Sequence, residues 1–190
     1  VTIAGCDKSL PGMLMASARI NRPAIFLYGG SSLPGEYKGK DISIVDVFEG
    51  IGAFDKGLIT EEELYEIECA ACPGQGSCAG MFTANTMASV GEAIGMSLPG
   101  TASIQAEDKR LRDAARETGE QLNFLLQNDI KPRDIMTIEA FYNAITTVLA
   151  LGGSTNAVLH LLAIAHEAKV DLNIDVFDKL VRNVPHLGDM

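Results

Sequence analysis

Val1-Thr2-Ile3-Ala4-Gly5-Cys6-Asp7-Lys8-Ser9-Leu10-Pro11-Gly12 opens the chain with a short apolar run, a polar turn and the start of a Met-rich apolar stretch. The first run reads as a strand. Pro11 suits the first turn of a helix, where a backbone N–H has no helical partner to lose. A strand turning directly into a helix is the βα unit of an α/β fold, and open α/β sheets place their chemistry at such turns. The turn sets a thiol, a carboxylate and a lysine side by side. Thiolates suit iron–sulfur clusters and carboxylates suit magnesium, so one loop can serve two metal centres.

Working outward, Pro23-Ala24-Ile25-Phe26-Leu27-Tyr28-Gly29-Gly30 reads as a buried strand ended by glycines. Ser31 to Lys40 reads as a Gly/Ser/Pro loop, and Ile42 to Phe54 has apolar residues at helical spacing. Thr60 followed by Glu61-Glu62-Glu63 predicts a capping box opening a helix toward Ala71. Pro73-Gly74-Gln75-Gly76 interrupts, and a long helix is expected from Ser77 or Cys78 to Met96. Further helices are expected over Ala106 to Leu126, Ile135 to Leu151, after the Gly152-Gly153 stop, and over Asp175 to Arg182 before Pro185. The fold class is α/β: a small, mostly parallel sheet surrounded by several helices, and helix-rich.

The 190 residues suffice for one domain with a core of its own. With 15 Lys and Arg against 25 Asp and Glu, the formal charge is −10. That excludes the basic footprint of a nucleic-acid binder and the cationic cluster of a membrane-surface binder. No apolar run is long enough to span a bilayer, and no signal peptide is visible. Four cysteines, at 6, 69, 72 and 78, are too few and too uneven for a disulfide scaffold, so a reducing cytoplasm is expected. The chain starts on a strand-like run without Met and is expected to be a piece of a longer one.

Each constellation has a plain reading beside the functional one. Cys69-x-x-Cys72 lacks the second ligand pair of a zinc site and the strand-then-helix setting of a redox motif, so ordinary buried cysteines are expected. Cys78 follows a flexible loop at an expected helix start, which would lower its pKa and aim N–H groups at an anionic cluster; a small residue in a tight turn is the equal alternative. Asp7-Lys8 is an ordinary surface ion pair unless its Cys neighbour matters. His160, among Val158, Leu159, Leu161 and Leu162, reads as a packing residue. Gly152-Gly153-Ser154-Thr155-Asn156 lacks the P-loop lysine and reads as an anion-binding helix start or a tight helix–helix turn.

Three segments in order carry a resemblance: Cys6-Asp7-Lys8-Ser9-Leu10-Pro11-Gly12, the run from Ala71-Cys72-Pro73 through Cys78-Ala79-Gly80-Met81-Phe82-Thr83-Ala84-Asn85 to Met87, and Leu149 through Gly152-Gly153-Ser154-Thr155-Asn156 to His160. Together they resemble the dihydroxy-acid and phosphogluconate dehydratase family across essentially the whole chain. The Lys8-x-x-Pro11-Gly12 continuation and the Ala79 to Asn85 segment are most similar to its dihydroxy-acid dehydratase branch.

The resemblance implies a hydro-lyase that converts 2,3-dihydroxy-3-methyl acids to 2-keto acids in valine, leucine and isoleucine biosynthesis. It implies an iron–sulfur cluster, [2Fe–2S] or [4Fe–4S], held in part by Cys6 and Cys78 and acting as a Lewis acid. It implies magnesium on Asp7 and on Lys8, which is carbamylated in some members. Residues 1–190 would be most of the N-terminal iron–sulfur and magnesium-binding α/β domain. The remaining cluster cysteine, further acidic ligands and the catalytic base would lie outside this chain, the base in a C-terminal β-barrel-like domain. The partners implied are a small dihydroxy acid and a second copy of the full-length enzyme. The rivals are a sugar-acid dehydratase of the same family, and a non-catalytic interaction domain that kept the scaffold.

Overall fold

Thr2–Ala4 forms β1 and leads through the Cys6 turn into α1, Ser9–Ile20. Phe26–Tyr28 forms β2 and pairs with β1 in parallel, Ile3 opposite Leu27. This pair is the βα unit that the first twelve residues predict. The computed structural model describes residues 1–187. After β2 come β3 (Gly35–Tyr37), β4 (Lys40–Ile42), α2 (Ile44–Asp55), α3 (Glu61–Ala70) and α4 (Thr83–Ala93). Then come α5 (Arg110–Gln127), α6 (Pro132–Ile135), α7 (Ile138–Leu151), α8 (Asn156–Ala168) and α9 (Asp175–Val181). The outcome is helix-rich α/β, with isolated parallel bridges from Ser31 to Ser77 and to Gln105 extending the pairing beyond β2.

The expected loop over Ser31 to Lys40 is a hairpin instead. β3 and β4 pair antiparallel across a two-residue turn, Tyr37 opposite Lys40. Lys38 (φ 52°) and Gly39 (φ 76°) both take positive φ, as a tight hairpin turn of this hand requires. Lys38 tolerates this position while its ammonium lies 4.8 Å from the Tyr37 ring centroid and 3.2 Å from Glu63 Oε1. The capping box predicted at Thr60 is present: Glu63 N–H donates to Thr60 Oγ1 (3.2 Å) and Thr60 N–H to Glu63 Oε2 (3.1 Å). The expected single helix from Ile135 is split, because Thr137 leaves helical geometry to cap α7.

One core lies between β1, β2, α1, α4, α7 and α8. Leu10, Leu14, Phe26, Met87, Phe141, Ile145, Leu161 and Ile164 are all fully buried in it. Burying side chains of this size stabilises by about 1.5–3 kcal/mol each before conformational entropy is subtracted. The positional consequence is that α1 packs along α8 and α4 along α7, so the turns preceding α1, α4 and α8 are held against one framework. At the far end of α1, Arg19 grips Glu167 of α8 with two bonds, Nε at 2.8 Å and Nη2 at 2.5 Å.

Candidate metal and cluster site

The Cys6 turn is closed by its own backbone and by Ser9. Cys6 N–H donates to Ser9 Oγ (3.1 Å), Ser9 Oγ–H donates back to the Cys6 carbonyl (3.0 Å), and Leu10 N–H donates to that carbonyl (3.1 Å). Cys6 is thereby fixed just before the helix with its side chain exposed. Its Sγ lies 3.6 Å from Asp7 Oδ1. Lys8 Nζ is 3.2 Å from Asp7 Oδ2, both side chains open to solvent. The hydrogen bond from Lys8 holds the Asp7 carboxyl below its usual pKa. Lys8 Nζ also lies 3.5 Å from His160 Nε2 on α8. Burial, and then the Lys8 charge, push the His160 imidazole below its ordinary pKa, with Asp7 opposing.

The Cys78 loop is closed differently. Ser77 N–H donates to the Gly30 carbonyl (3.0 Å), and Ser32 N–H donates to the Ser77 carbonyl (2.7 Å). Buried Tyr28 hydrogen-bonds Ser77 Oγ and donates to Asn85 Oδ1 (2.6 Å). Asn85 Nδ2 in turn donates to the carbonyls of Cys78 (3.2 Å) and Gly80. Gly76 carries φ 123°, and a Cβ there would lie 2.4 Å from Ser32 N. The loop can come this close to the strand end only with glycine.

Two expectations change here. Cys78 does not open a helix: α4 begins at Thr83, because the carbonyls of Cys78 and Gly80 are taken by the Asn85 side chain. A helix start therefore does not lower its pKa. Burial raises it, its own backbone N–H opposes, and the charges of Cys6, Cys72 and Asp7 raise it further. Both loops lie at the C-terminal ends of the paired strands: Gly29 N–H donates to the Ala4 carbonyl (2.9 Å) just before the Cys6 turn, and Ser77 is bonded to Gly30. Second, Cys69 and Cys72 are exposed free thiols rather than buried ones. Cys69 lies on α3, a charge-rich helix with no buried residue, and Cys72 lies in the exposed turn that follows it.

The third quoted segment is a turn between helices. Gly152 ends α7 at φ 64°. A Cβ on Gly153 would lie 2.8 Å from Thr86 Cγ2, so the turn sits directly on α4. Ser154 N–H donates to Thr86 Oγ1 (3.0 Å), and Asn156 Nδ2 donates to Thr83 Oγ1 (2.9 Å). Ser154 Oγ, rather than Thr155, accepts from the start of α8 at Asn156 N–H (3.3 Å). One helical turn later His160 meets Lys8. Sequence reading missed that contact and the Tyr28–Ser77–Asn85 network; neither has a local signal, since their partners lie far apart along the chain.

All 190 residues match the family model for the dihydroxy-acid/6-phosphogluconate dehydratase N-terminal region. The chain belongs to this family. Among curated relatives, it is 60% identical over 190 residues to the dihydroxy-acid dehydratase of Acidothermus cellulolyticus. It is 57% identical to that of Nocardioides sp. and 55% identical to dihydroxy-acid dehydratase 2 of Staphylococcus saprophyticus, again over 190 residues. Each match covers 100% of this chain and 34% of the relative, so the chain spans about a third of their length.

The donor set fits the groups that this dehydratase family implied from sequence. Cys6 and Cys78 are free, exposed thiols on loops at the ends of adjacent strands, and the Asp7 carboxyl lies beside Cys6. Among the described residues no three His, Cys, Asp or Glu side chains converge as a ready metal-binding group. No helix among the described residues is long and apolar enough to cross a membrane.

Proposed function

We propose that residues 1–190 form the cluster- and magnesium-holding part of a dihydroxy-acid dehydratase. This hydro-lyase takes water from 2,3-dihydroxy-3-methyl acids to give the 2-keto acids of valine, leucine and isoleucine synthesis. The observation that carries this reading is the fixed Cys6-Asp7-Lys8 turn, with the Cys78 loop at the end of the neighbouring strand. The curated relatives named dihydroxy-acid dehydratase support it.

Cys6 and Cys78 would hold the iron–sulfur cluster, and Asp7 with Lys8 would hold magnesium. When bound, the cluster supplies a Lewis-acidic iron for the departing 3-hydroxyl, and magnesium an anchor for the substrate carboxylate and 2-hydroxyl. The Asp7 carboxyl, held below its usual pKa by the Lys8 hydrogen bond, offers a hard oxygen ligand. Lys8 as an ammonium has only donors and cannot ligate a cation; carbamylation would replace its positive charge with an anionic oxygen ligand. The Ser9 clasp keeps Cys6 and Asp7 in one orientation, which spares a ligand set reorganisation on binding. The base that takes the C2 proton belongs outside these 190 residues, and the working enzyme is a homodimer.

The test is anaerobic reconstitution of the complete chain and of residues 1–190 with iron, sulfide and magnesium, followed by a keto-acid assay on 2,3-dihydroxyisovalerate. The complete chain should turn over and residues 1–190 alone should not. Absence of turnover and of bound iron in the complete chain would overturn the reading.

A further inference from the structure

We propose that His160 is a positioning residue for Lys8, anchoring the end of that side chain beside Asp7; this rests on the reading of Lys8 as a magnesium-site residue. His160 sits on α8, and Lys8 immediately precedes α1. Their side-chain nitrogens nevertheless lie 3.5 Å apart.

The contact is built from both sides. From one side, the bonds from Leu10 N–H to the Cys6 carbonyl (3.1 Å) and from Gly12 N–H to the Lys8 carbonyl (3.1 Å), helped by Ser9, fix the start of α1 and so the root of Lys8. From the other, the Gly152-Gly153 turn locks the start of α8 onto Thr83 and Thr86, one turn before His160. Arg19 and Glu167 hold the same two helices together at their other ends. His160 is partly buried on its helix, between exposed Leu159 and buried Leu161, so its ring has limited freedom. Lys8 is the opposite: a four-carbon stem whose side chain is 63% exposed. Without a partner it would lose most of its preference for one rotamer.

Imidazole suits both forms of its neighbour. Toward an ammonium, Nε2 accepts a hydrogen bond; toward a carbamate oxygen, the other tautomer donates one from the same atom. A single ring can therefore keep Lys8 pointed at Asp7 before and after its charge changes. Residues that orient a metal ligand in this way typically alter metal affinity about 10–100-fold when removed.

The experiment measures magnesium affinity by calorimetry on the iron-loaded complete chain, alongside iron content and turnover. His160→Leu should weaken magnesium binding about tenfold, with iron content unchanged. His160→Gln, which can accept or donate at a similar reach, should recover most of the loss. Lys8→Met should weaken magnesium binding by itself, and adding His160→Leu to it should cost nothing more. An equal His160→Leu penalty with Lys8 and with Met at position 8 would overturn the role, since the histidine would then act by packing alone. Failure of His160→Gln to do better than His160→Leu would also overturn it. Unaltered magnesium binding in Lys8→Met would instead remove the metal-site reading of Lys8, and this role with it.

Discussion

Cys6 and Cys78 are both exposed thiols next to the same framework, yet their loops are closed by different means. At Cys6 the chain closes on itself within four residues, through Ser9 Oγ and the first helical N–H groups. At Cys78 the closure comes from two other segments: Tyr28 and the Gly30 carbonyl at the end of β2, and Asn85 on α4. The first loop is therefore local and redundant, while the second depends on a few buried groups that have no substitute. A cysteine on the second kind of loop can be displaced by a mutation that never touches it.

The largest effect should come from the thiols themselves. In the complete chain, Cys78→Ser should lower bound iron sharply, while Cys69→Ser and Cys72→Ser should leave it near the unsubstituted level. Iron analysis and the visible spectrum of the cluster decide it. Equal losses at 69 and 78 would erase the distinction between the two groups of cysteines.

Next in size is Gly76→Ala. Its Cβ would lie 2.4 Å from a backbone nitrogen, at a φ of 123° that alanine rarely adopts. Backbone cannot yield as a side-chain tip can, so a loss of about 3 kcal/mol or more is expected. Urea unfolding of the metal-free chain should show it. Gly12→Ala, in α1 with nothing near the added carbon, is the matched control and should not destabilise.

Tyr28→Phe comes third. It removes a buried hydroxyl and leaves Asn85 Oδ1 without its donor, while Ser77 Oγ keeps its bond to the Gly30 carbonyl. Leaving a buried polar group unpaired costs about 1–3 kcal/mol. Because Asn85 is what holds the Cys78 carbonyl, iron retention should fall along with stability. A stability loss with normal iron retention would mean the network supports the fold but does not aim the thiol.

The same contrast governs what could be read from the chain. The βα unit, the Thr60 capping box and the Gly152 stop were legible because each is decided by residues within one turn of each other. The β3–β4 hairpin was not, because Lys38-Gly39 is a weak turn signal and tertiary partners, Tyr37 and Glu63, supply the rest. The start of α4 was misread for a related reason: the apolar pattern from Cys78 onward fits a helix, but Asn85 captures the carbonyls that would have begun it. At the candidate site, Asp7 beside Lys8 is adjacent in sequence and was visible. His160 reached the site only through the packing of α8 on α1, which no spacing rule encodes.

Ser9→Ala should have the smallest effect, and it tests the redundancy of the first loop. The substitution removes two hydrogen bonds at once, the one Ser9 accepts from Cys6 N–H and the one it donates to the Cys6 carbonyl. Two compensations limit the damage. The Cys6 carbonyl keeps its bond from Leu10 N–H, and the freed Cys6 N–H lies in an exposed turn where water can replace the hydroxyl. Alanine is also the better helix former at the first position of α1. The net cost should be about 0.5–1 kcal/mol, below that of Tyr28→Phe, with iron retention close to normal. If Ser9→Ala proved as costly as Tyr28→Phe and released iron as readily, the Cys6 turn would be held by a side chain after all. The difference between a locally closed, redundant thiol loop and one held by remote groups would then disappear.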